Sequence, residues 1–146
     1  MRLTGKVALI TGGGTGIGEA TAKIFAAEGA QVAITGRRKD VLEGVAKAIV
    51  ANGGKVLVVA GSVTDEAHVQ SAVDQTVRTF GKIDILINNA GLTRDNLSMR
   101  MKDEEWREVI DVNLTVPFKL AQAVQRGMMK RRWGRIVNIA SVVGVT

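Results

Sequence analysis

The stretch Thr11-Gly12-Gly13-Gly14-Thr15-Gly16-Ile17-Gly18 decides the fold, because an apolar run precedes it and a segment with helical periodicity follows it. Glycine allows close approach of the backbone to a ligand, and the N-terminus of a helix offers free N–H groups and a positive dipole end. The spacing matches G-x-x-x-G-x-G, whereas neither G-x-G-x-x-G nor the lysine of a P-loop is present. The stretch therefore predicts a pyrophosphate-binding turn, and a flexible glycine-rich turn is the alternative.

Outward from this turn, apolar runs alternate with helical segments along the chain. The runs are rich in β-branched residues and do not alternate with polar ones, as expected for parallel strands covered on both faces. Helices are predicted at about residues 17–28, 40–51 and 65–80; Asp65 or Thr64 can cap the start of the third, and Gly81 ends it. The alternation predicts an α/β fold with a doubly wound parallel sheet of strand order 3-2-1-4-5. Its strands are expected at Val7–Ile10, Val32–Ile34, Val56–Ala60, Ile83–Ile87 and Ile136–Ile139.

Length and composition restrict the domain organisation and the partners. The 146 residues suit one domain, taken as residues 1–146, and no linker or repeat divides them. The chain has no Cys and one His, which excludes a thiolate or histidine-rich metal site. No apolar run reaches the ~20 residues of a membrane span and no signal peptide is recognised, so a cytoplasmic location without membrane contact is predicted. The net charge of +6 is accompanied by no nucleic-acid recognition motif, so no nucleic-acid partner is expected.

Two motifs at strand ends resemble those of a known family. Thr11 to Gly18 resembles the TGxxxGxG cofactor motif of the short-chain dehydrogenase/reductase family, and Asn88-Asn89-Ala90-Gly91 resembles its NNAG motif. The resemblance covers the whole chain and implies an oxidoreductase with a Rossmann-like NAD(P)-binding domain. It implies cofactor contacts at residues of both motifs, namely Gly12, Gly14, Thr15, Gly16, Ile17, Gly18, Asn89, Ala90 and Gly91.

The end of the second strand indicates which nicotinamide cofactor is used. An acidic residue there accepts hydrogen bonds from a free 2′-hydroxyl, and a basic one accommodates a 2′-phosphate. Gly36 stands where NAD-using relatives usually carry Asp, and Arg37 resembles the phosphate-binding Arg of NADP-preferring members. We therefore expect NADPH, although Thr15 stands where many such members have a second basic residue; a solvated basic turn is the alternative. Ser62-Val63 stands where the family most often has Asp-Val at the adenine.

The helix predicted from near Asp103 to Met128 has one hydrogen-bonding side chain, Asn113, in its apolar stripe of Trp106, Val109, Ile110, Pro117, Ala121, Val124 and Met128. A structural asparagine bonded to neighbouring backbone is one reading. Pro117 has no N–H, so the carbonyl of Asn113 loses its helical donor and is free to hold a water, and a kink is expected there. Asn113 resembles the family's active-site Asn, whose carbonyl holds a water in a proton relay.

Asn138-Ile139-Ala140-Ser141 ends the fifth strand and resembles the segment that presents the family's catalytic Ser. In that reading Ser141 hydrogen-bonds the substrate carbonyl; a turn residue is the alternative. A Ser-His-Asp arrangement is not expected, because His68 lies in a remote amphipathic helix and is predicted to be a surface residue. The family's YxxxK segment, which supplies the proton donor, would fall beyond Thr146, and the chain has no Tyr. The domain is therefore expected to be incomplete, truncated after the fifth strand, and inactive alone.

Two segments point to a substrate. Leu92 to Trp106 and Met128 to Arg135 resemble the 3-oxoacyl-[acyl-carrier-protein] reductases of that family, which use NADPH to reduce a β-keto thioester in fatty-acid synthesis. The resemblance implies acyl carrier protein as the partner, docked by Arg132, and a homotetramer. For Arg132, cations favourably placed at a helix C-terminus are the alternative. Another ketone or alcohol as substrate, and a dinucleotide-binding fragment without turnover, stay open as alternatives.

Overall fold

The computed structural model describes residues 1–89, 102–110 and 114–139, with the side chains of residues 108 and 109 excepted. Strands and helices follow one another as the apolar runs predict. The elements are β1 (Val7–Thr11), α1 (Gly16–Ala27), β2 (Gln31–Gly36), α2 (Lys39–Ala51), β3 (Lys55–Ala60), α3 (Glu66–Phe80), β4 (Ile85–Asn88), α4 (Asp103–Ile110), α5 (Val116–Arg131) and β5 (Arg135–Asn138).

The five strands form one sheet in the order β3-β2-β1-β4-β5, and every pair is parallel. β1 lies at the centre, where Leu9 is paired with Ala33 of β2 and with Leu86 of β4. The predicted strand order is therefore confirmed. The chain leaves β1 toward β2 on one side and returns to β4 on the other, so the carboxyl ends of β1 and β4 border the crevice where doubly wound sheets bind ligands.

Helices cover both faces of the sheet, which explains why the strands read as continuous apolar runs. Side chains alternate between the two faces along each strand. Leu9 accordingly packs with Val73 of α3 and Leu120 of α5, whereas Ile10 packs with Ala22 of α1 and Leu42 of α2. The sequence encodes these helices through their apolar faces; in α5 the buried residues are four apart, at Val116, Leu120, Val124 and Met128.

The third helix begins and ends at the predicted caps. The Asp65 side chain accepts a hydrogen bond from the N–H of Ala67, at 3.0 Å, and so stabilises the N-terminus of α3. At the other end Gly81 follows α3 as its C-cap. α3 therefore lies against the sheet with Val69, Ala72, Val73 and Thr76 buried.

The start of one strand and the burial of one side chain differ from the prediction. β4 begins at Ile85, not Ile83: Ile83 is buried but unpaired, and an apolar run does not distinguish buried residues from ladder residues. The predicted helix from Asp103 to Met128 is described in two parts, α4 and α5; residues 111–113 between them lie outside the described part, so the prediction of one helix stays a prediction. Pro117 lies in the first turn of α5 as described, four residues after Asn113, which is outside the described part, so the kink expected there stays a prediction. Trp106, expected in the buried stripe, is 58% exposed.

A buried carboxylate joins three elements at the amino edge of the sheet. Asp84 Oδ2 accepts a hydrogen bond from the N–H of Val7 at 2.9 Å and lies 3.0 Å from Lys82 Nζ. Its Oδ1 is 3.8 Å from Arg131 Nε, and Arg131 also donates to the carbonyl of Ile83 at 2.6 Å. The start of β1, the start of β4 and the end of α5 are thus tied together, at the edge opposite to the glycine-rich turn.

Candidate functional site

The glycine-rich turn lies at the carboxyl edge of the sheet, between β1 and α1. Gly16 has a φ of 56°, which favours glycine. A Cβ added at Gly18 would overlap the carbonyl oxygen of Gly12 and lie 2.6 Å from Asn89 Nδ2. The N–H of Gly13 donates to the carbonyl of Thr35 at 3.2 Å, so the turn is also fixed against β2. The turn is therefore tight, and glycine is required by the space available at position 18 and favoured by the backbone conformation at position 16.

The N-terminus of α1 is open to an anion. Thr15 is the N-cap but its side chain makes no capping hydrogen bond, and Thr15, Gly16 and Ile17 are exposed. The acidic residue of the first turn, Glu19, is paired with Lys23 at 2.6 Å on the helix surface. Free N–H groups, the positive end of the helix dipole and small residues around them are the features that hold a phosphate group.

Asn89 connects the two sequence motifs. Its N–H donates to Thr11 Oγ1 at 2.9 Å and its Nδ2 donates to the carbonyl of Gly12 at 3.2 Å. The glycine-rich turn and the end of β4 therefore meet in the crevice between β1 and β4. Ala90, Gly91, Asn113 and Ser141 lie outside the described residues, and their predicted roles stay predictions.

Arg37 follows β2 at the same edge of the sheet and is exposed. Its basic neighbours have acidic partners: Arg38 lies 3.8 Å from Asp40, and Lys39 lies 3.9 Å from Glu43. Arg37 makes no ion pair with any residue that the structure describes. Its guanidinium is therefore available for an external anion, and no acidic residue occupies position 36 to repel one.

Ser62 and Val63 form the turn after β3. The Val63 side chain is buried among the apolar residues that cover one face of the sheet, so only its backbone faces a ligand. Ser62 Oγ lies 2.7 Å from Thr64 Oγ1 and accepts a hydrogen bond from the N–H of Thr64 at 3.2 Å. A hydroxyl has one hydrogen and two lone pairs, so when Ser62 Oγ donates to Thr64 Oγ1 it can accept one more hydrogen bond, such as that from an amino group.

His68 is not the surface residue that the sequence predicts. It is half-buried, and its Nε2 lies 2.7 Å from Oγ1 of Thr35, which is 2% exposed. Burial lowers the pKa of His68, and the negative charge of Asp65 partly opposes that shift. The surface prediction was wrong because Gly61, which has no side chain, leaves space for the ring. Gly61 and Thr35 are distant from each other in the sequence, so the helical pattern around His68 does not show that they meet at its ring. The ring thereby joins the ends of β2 and β3.

The sequence places Asn88 in a motif but does not predict its burial or its hydrogen bond. It is 4% exposed at the end of β4, and its Nδ2 donates to Asn138 Oδ1 of β5 at 2.8 Å. Its own Oδ1 is buried and has no hydrogen-bond partner among the described residues. Such an acceptor is costly to leave unpaired. The amide pair aligns the ends of β4 and β5 beside the crevice and leaves an acceptor there for a donor.

Arg132 lies at the other edge of the sheet, between α5 and β5. It is exposed and has a φ of 56°, the only positive φ of a non-glycine residue in the part of the chain that the structure describes. Next to it Trp133 is flanked by two cations, Lys6 Nζ at 3.8 Å and Arg135 Cζ at 4.8 Å from the ring centroid. The structure therefore separates Arg132, on a basic surface at the amino edge, from the residues predicted to bind the cofactor.

Across residues 1–89, 102–110 and 114–139, no group of three or more His, Cys, Asp or Glu side chains is arranged to bind a metal ion. Among the helices in this described portion, none has the length and apolar character needed to cross a membrane.

Known proteins share both the sequence and this arrangement. The 3-oxoacyl-[acyl-carrier-protein] reductase FabG of Escherichia coli (strain K12) is 47% identical over 144 residues, which are 99% of this chain and 58% of that protein. The protein of the same name from Thermotoga maritima is 47% identical over 145 residues, 59% of its length. The chain thus spans less than two thirds of these relatives.

A solved structure gives the same result for the fold. The crystal structure of a short-chain type dehydrogenase/reductase from Mycobacterium marinum superposes with a TM-score of 0.93 at 40% identity, covering 99% of this chain and 59% of that one. The family model described as short chain dehydrogenase matches residues 6–146. This chain therefore belongs to the short chain dehydrogenase family.

Proposed function

We propose that this chain is the cofactor-binding part of an NADPH-dependent oxidoreductase that reduces a 3-oxoacyl thioester on acyl carrier protein to the 3-hydroxyacyl form. The observation that carries the proposal is the 46–48% identity, along 99% of the chain, to relatives that bear the name 3-oxoacyl-[acyl-carrier-protein] reductase. The packing of the glycine-rich turn against Asn89 supports it, because that packing leaves the N-terminus of α1 open to a pyrophosphate.

The described residues fit a dinucleotide that carries a 2′-phosphate. The pyrophosphate would lie against the turn from Gly12 to Gly18, where any Cβ at position 18 would close the gap to Asn89. The 2′-phosphate would lie at Arg37, whose planar guanidinium can donate two parallel hydrogen bonds to it. Adenine would lie against the backbone of Val63 and the remaining lone pair of Ser62.

When bound, NADPH supplies a hydride to the carbonyl carbon of the substrate. By resemblance, Ser141 would donate a hydrogen bond to the carbonyl oxygen, on which negative charge develops during the reaction. The backbone carbonyl of Asn113 would hold a water that relays a proton. The family's proton donor is a tyrosine, and none occurs among these 146 residues, so no residue of this chain is assigned to that step.

The basic surface around Arg132 suits an acidic carrier protein. An arginine with a positive φ is less stable there than a glycine would be, by ~1 kcal/mol, and a docking role would account for the arginine. Opposite charge on the partner would steer its approach and orient it. A homotetramer and a cytoplasmic location, expected from the resemblance and the composition, belong to the same proposal.

Turnover tests the proposed reaction. NADPH oxidation with an acetoacetyl thioester is measured with this chain alone and with the region that completes its relatives supplied in addition. We expect oxidation only in the second case, because the chain has no tyrosine to protonate the oxygen. A chain that turns over alone contradicts this assignment. Binding of NADPH without turnover in either case favours a non-catalytic dinucleotide-binding fragment, and turnover of other ketones alone favours a different substrate.

Replacing Arg37 tests the cofactor preference. We expect Arg37→Asp to lower the ratio of NADPH to NADH affinity at least tenfold, because it replaces a bidentate phosphate contact by a like charge. Lys47→Asp, at an exposed position of α2 with the same change of charge, is the matched control. Dissociation constants are measured by fluorescence titration. An unchanged ratio in Arg37→Asp contradicts the assignment of Arg37 to the 2′-phosphate.

Charge reversal at Arg132 tests carrier docking. Arg132→Glu is expected to raise KM for a carrier-bound thioester about tenfold and to leave KM for a small thioester unchanged, since only the first needs the basic surface. Arg126→Glu, exposed on α5, is the control for a general change in charge. The assay uses the enzyme with its complete catalytic region. Equal effects of Arg132→Glu on the two substrates contradict the docking role.

A further inference from the structure

His68 joins two strand ends that both face the predicted adenosine half of the cofactor. Its Nε2 lies 2.7 Å from Oγ1 of Thr35 in β2, and its ring occupies the space beside Gly61 at the end of β3. A Cβ at Gly61 would overlap the ring and lie 2.6 Å from its Cε1. The imidazole therefore fills a gap that a larger residue at position 61 would close.

Backbone hydrogen bonds hold the two ends of the turn after β3. The N–H of Gly61 donates to the carbonyl of Gly36 at 2.8 Å, and the N–H of Asp65 donates to the carbonyl of Ser62 at 3.1 Å. These bonds fix the two ends of the turn. The ring of His68 supports the turn from the α3 side, so the position of the Ser62-Val63 backbone is coupled to the position of the imidazole.

Thr35 extends this coupling to the remaining cofactor segments. Its carbonyl accepts the N–H of Gly13 in the glycine-rich turn at 3.2 Å, and Arg37 follows it two residues later. Its hydroxyl bonds to His68. Thr35 thus contacts the glycine-rich turn through its backbone and the turn after β3 through His68. Arg37, assigned to the 2′-phosphate, follows Thr35 at the end of the same strand.

We propose that His68 is a positioning residue for the adenosine 2′-phosphate half of the cofactor, acting through Thr35 and the turn after β3. The inference rests on the proposed function and adds a specificity role for a residue outside both family motifs. The imidazole fixes the distance between Arg37 and the Ser62-Val63 backbone, and so sets the size of the adenosine site. The prediction concerns binding, so it is testable on the chain as it exists.

The test measures dissociation constants for NADPH and for adenosine 2′,5′-bisphosphate, which lacks the nicotinamide, by calorimetry. We expect His68→Ala to weaken both by about fivefold, as for the loss of one hydrogen bond and its support of the turn. His68→Gln keeps an amide nitrogen within reach of Thr35, and affinity should return to within about twofold of wild type. Thr35→Val, which conserves shape, should reproduce the loss, and the double variant should be no weaker than either single one.

A control separates positioning from general loss of structure. Val73→Ala removes core volume from the same helix, on the side that packs against the sheet, and so lowers stability while leaving the contact between His68 and Thr35 in place. If Val73→Ala weakens binding as much as His68→Ala, or if His68→Ala binds both ligands as wild type does, the inference is overturned. If wild type binds neither ligand, the proposed cofactor role fails together with the inference. Tight binding to wild type with no effect of His68→Ala overturns the inference alone.

Discussion

For Gly18→Ala, helix propensity predicts a higher free energy of unfolding and packing predicts a lower one, so the variant shows which of the two effects dominates. Gly18 lies in the first turn of α1, and alanine is favoured over glycine in a helix by ~1 kcal/mol. The added Cβ, however, would overlap the carbonyl oxygen of Gly12 and lie 2.6 Å from Asn89 Nδ2. Neither atom can withdraw freely, because the two are hydrogen-bonded to each other at 3.2 Å and Asn89 is also bonded to Thr11.

The size of the effect follows from these contacts. Overpacking against backbone costs about 1–3 kcal/mol. Separating Asn89 Nδ2 from the Gly12 carbonyl forfeits ~1 kcal/mol more. After subtraction of the gain in helix propensity, the free energy of unfolding should fall by roughly 1–3 kcal/mol. Affinity for NADPH should fall in parallel, because the strained contact lies in the turn that would hold the pyrophosphate.

Gly44 is the matched control. It lies on the exposed side of α2, and a Cβ added there meets nothing within 4 Å. Gly44→Ala should therefore raise the free energy of unfolding by about 0.5–1 kcal/mol through helix propensity alone. Urea denaturation followed by far-UV circular dichroism measures both variants. If Gly18→Ala is as stable as wild type while Gly44→Ala is stabilised, the packing argument is refuted.

Two further predictions concern stability. Asp84→Ala should lower the free energy of unfolding by about 2–4 kcal/mol, since it leaves the buried N–H of Val7 without its acceptor and Lys82 without its closest partner. Asp74→Ala, at an exposed position of α3, should change the free energy of unfolding by less than about 0.5 kcal/mol. Equal urea midpoints for the two variants would contradict the role of the Asp84 carboxylate. Burial lowers the pKa of His68 below its ordinary 6.5, so just below pH 6.5 the folded chain binds fewer protons than the unfolded chain. The stability that the neutral ring contributes is therefore complete above pH 6.5 and declines as the pH falls below 6.5. Urea midpoints measured across this range should decline less in His68→Gln than in wild type, and identical declines would rule out this titration.

Much of the fold was predictable because its determinants are local. Runs of β-branched residues and the glycines that end helices predicted the strand order and the caps of α3, both of which the structure has. The errors arose where one local pattern fits two arrangements. An apolar run fits ladder residues and buried residues outside the ladder equally well, and Ile83 is buried without being paired.

The candidate site was predictable where a strand end and its motif coincide, as at the glycine-rich turn and Asn89. It was not predictable where a side chain from one element fills space left by another. His68 gave no signal of its own, because its environment depends on the missing side chain of Gly61 and on the hydroxyl of Thr35. The edge on which Arg132 lies likewise depends on where α5 ends, which the run of basic residues does not specify.

The central place of β1 has a consequence for how the chain folds. One neighbour of β1 is β2, which follows after a single helix, but the other is β4, and the hydrogen bond from Val7 to Asp84 spans 77 residues. Each doubling of a closed loop adds ~0.6 kcal/mol of entropic cost, so β1, β2 and β3 should pair before β4 joins them. During synthesis, one edge of the central strand would then stay unpaired until β4 has been made. The glycine-rich turn, which needs Asn89 to be complete, would be among the last parts to reach its final form.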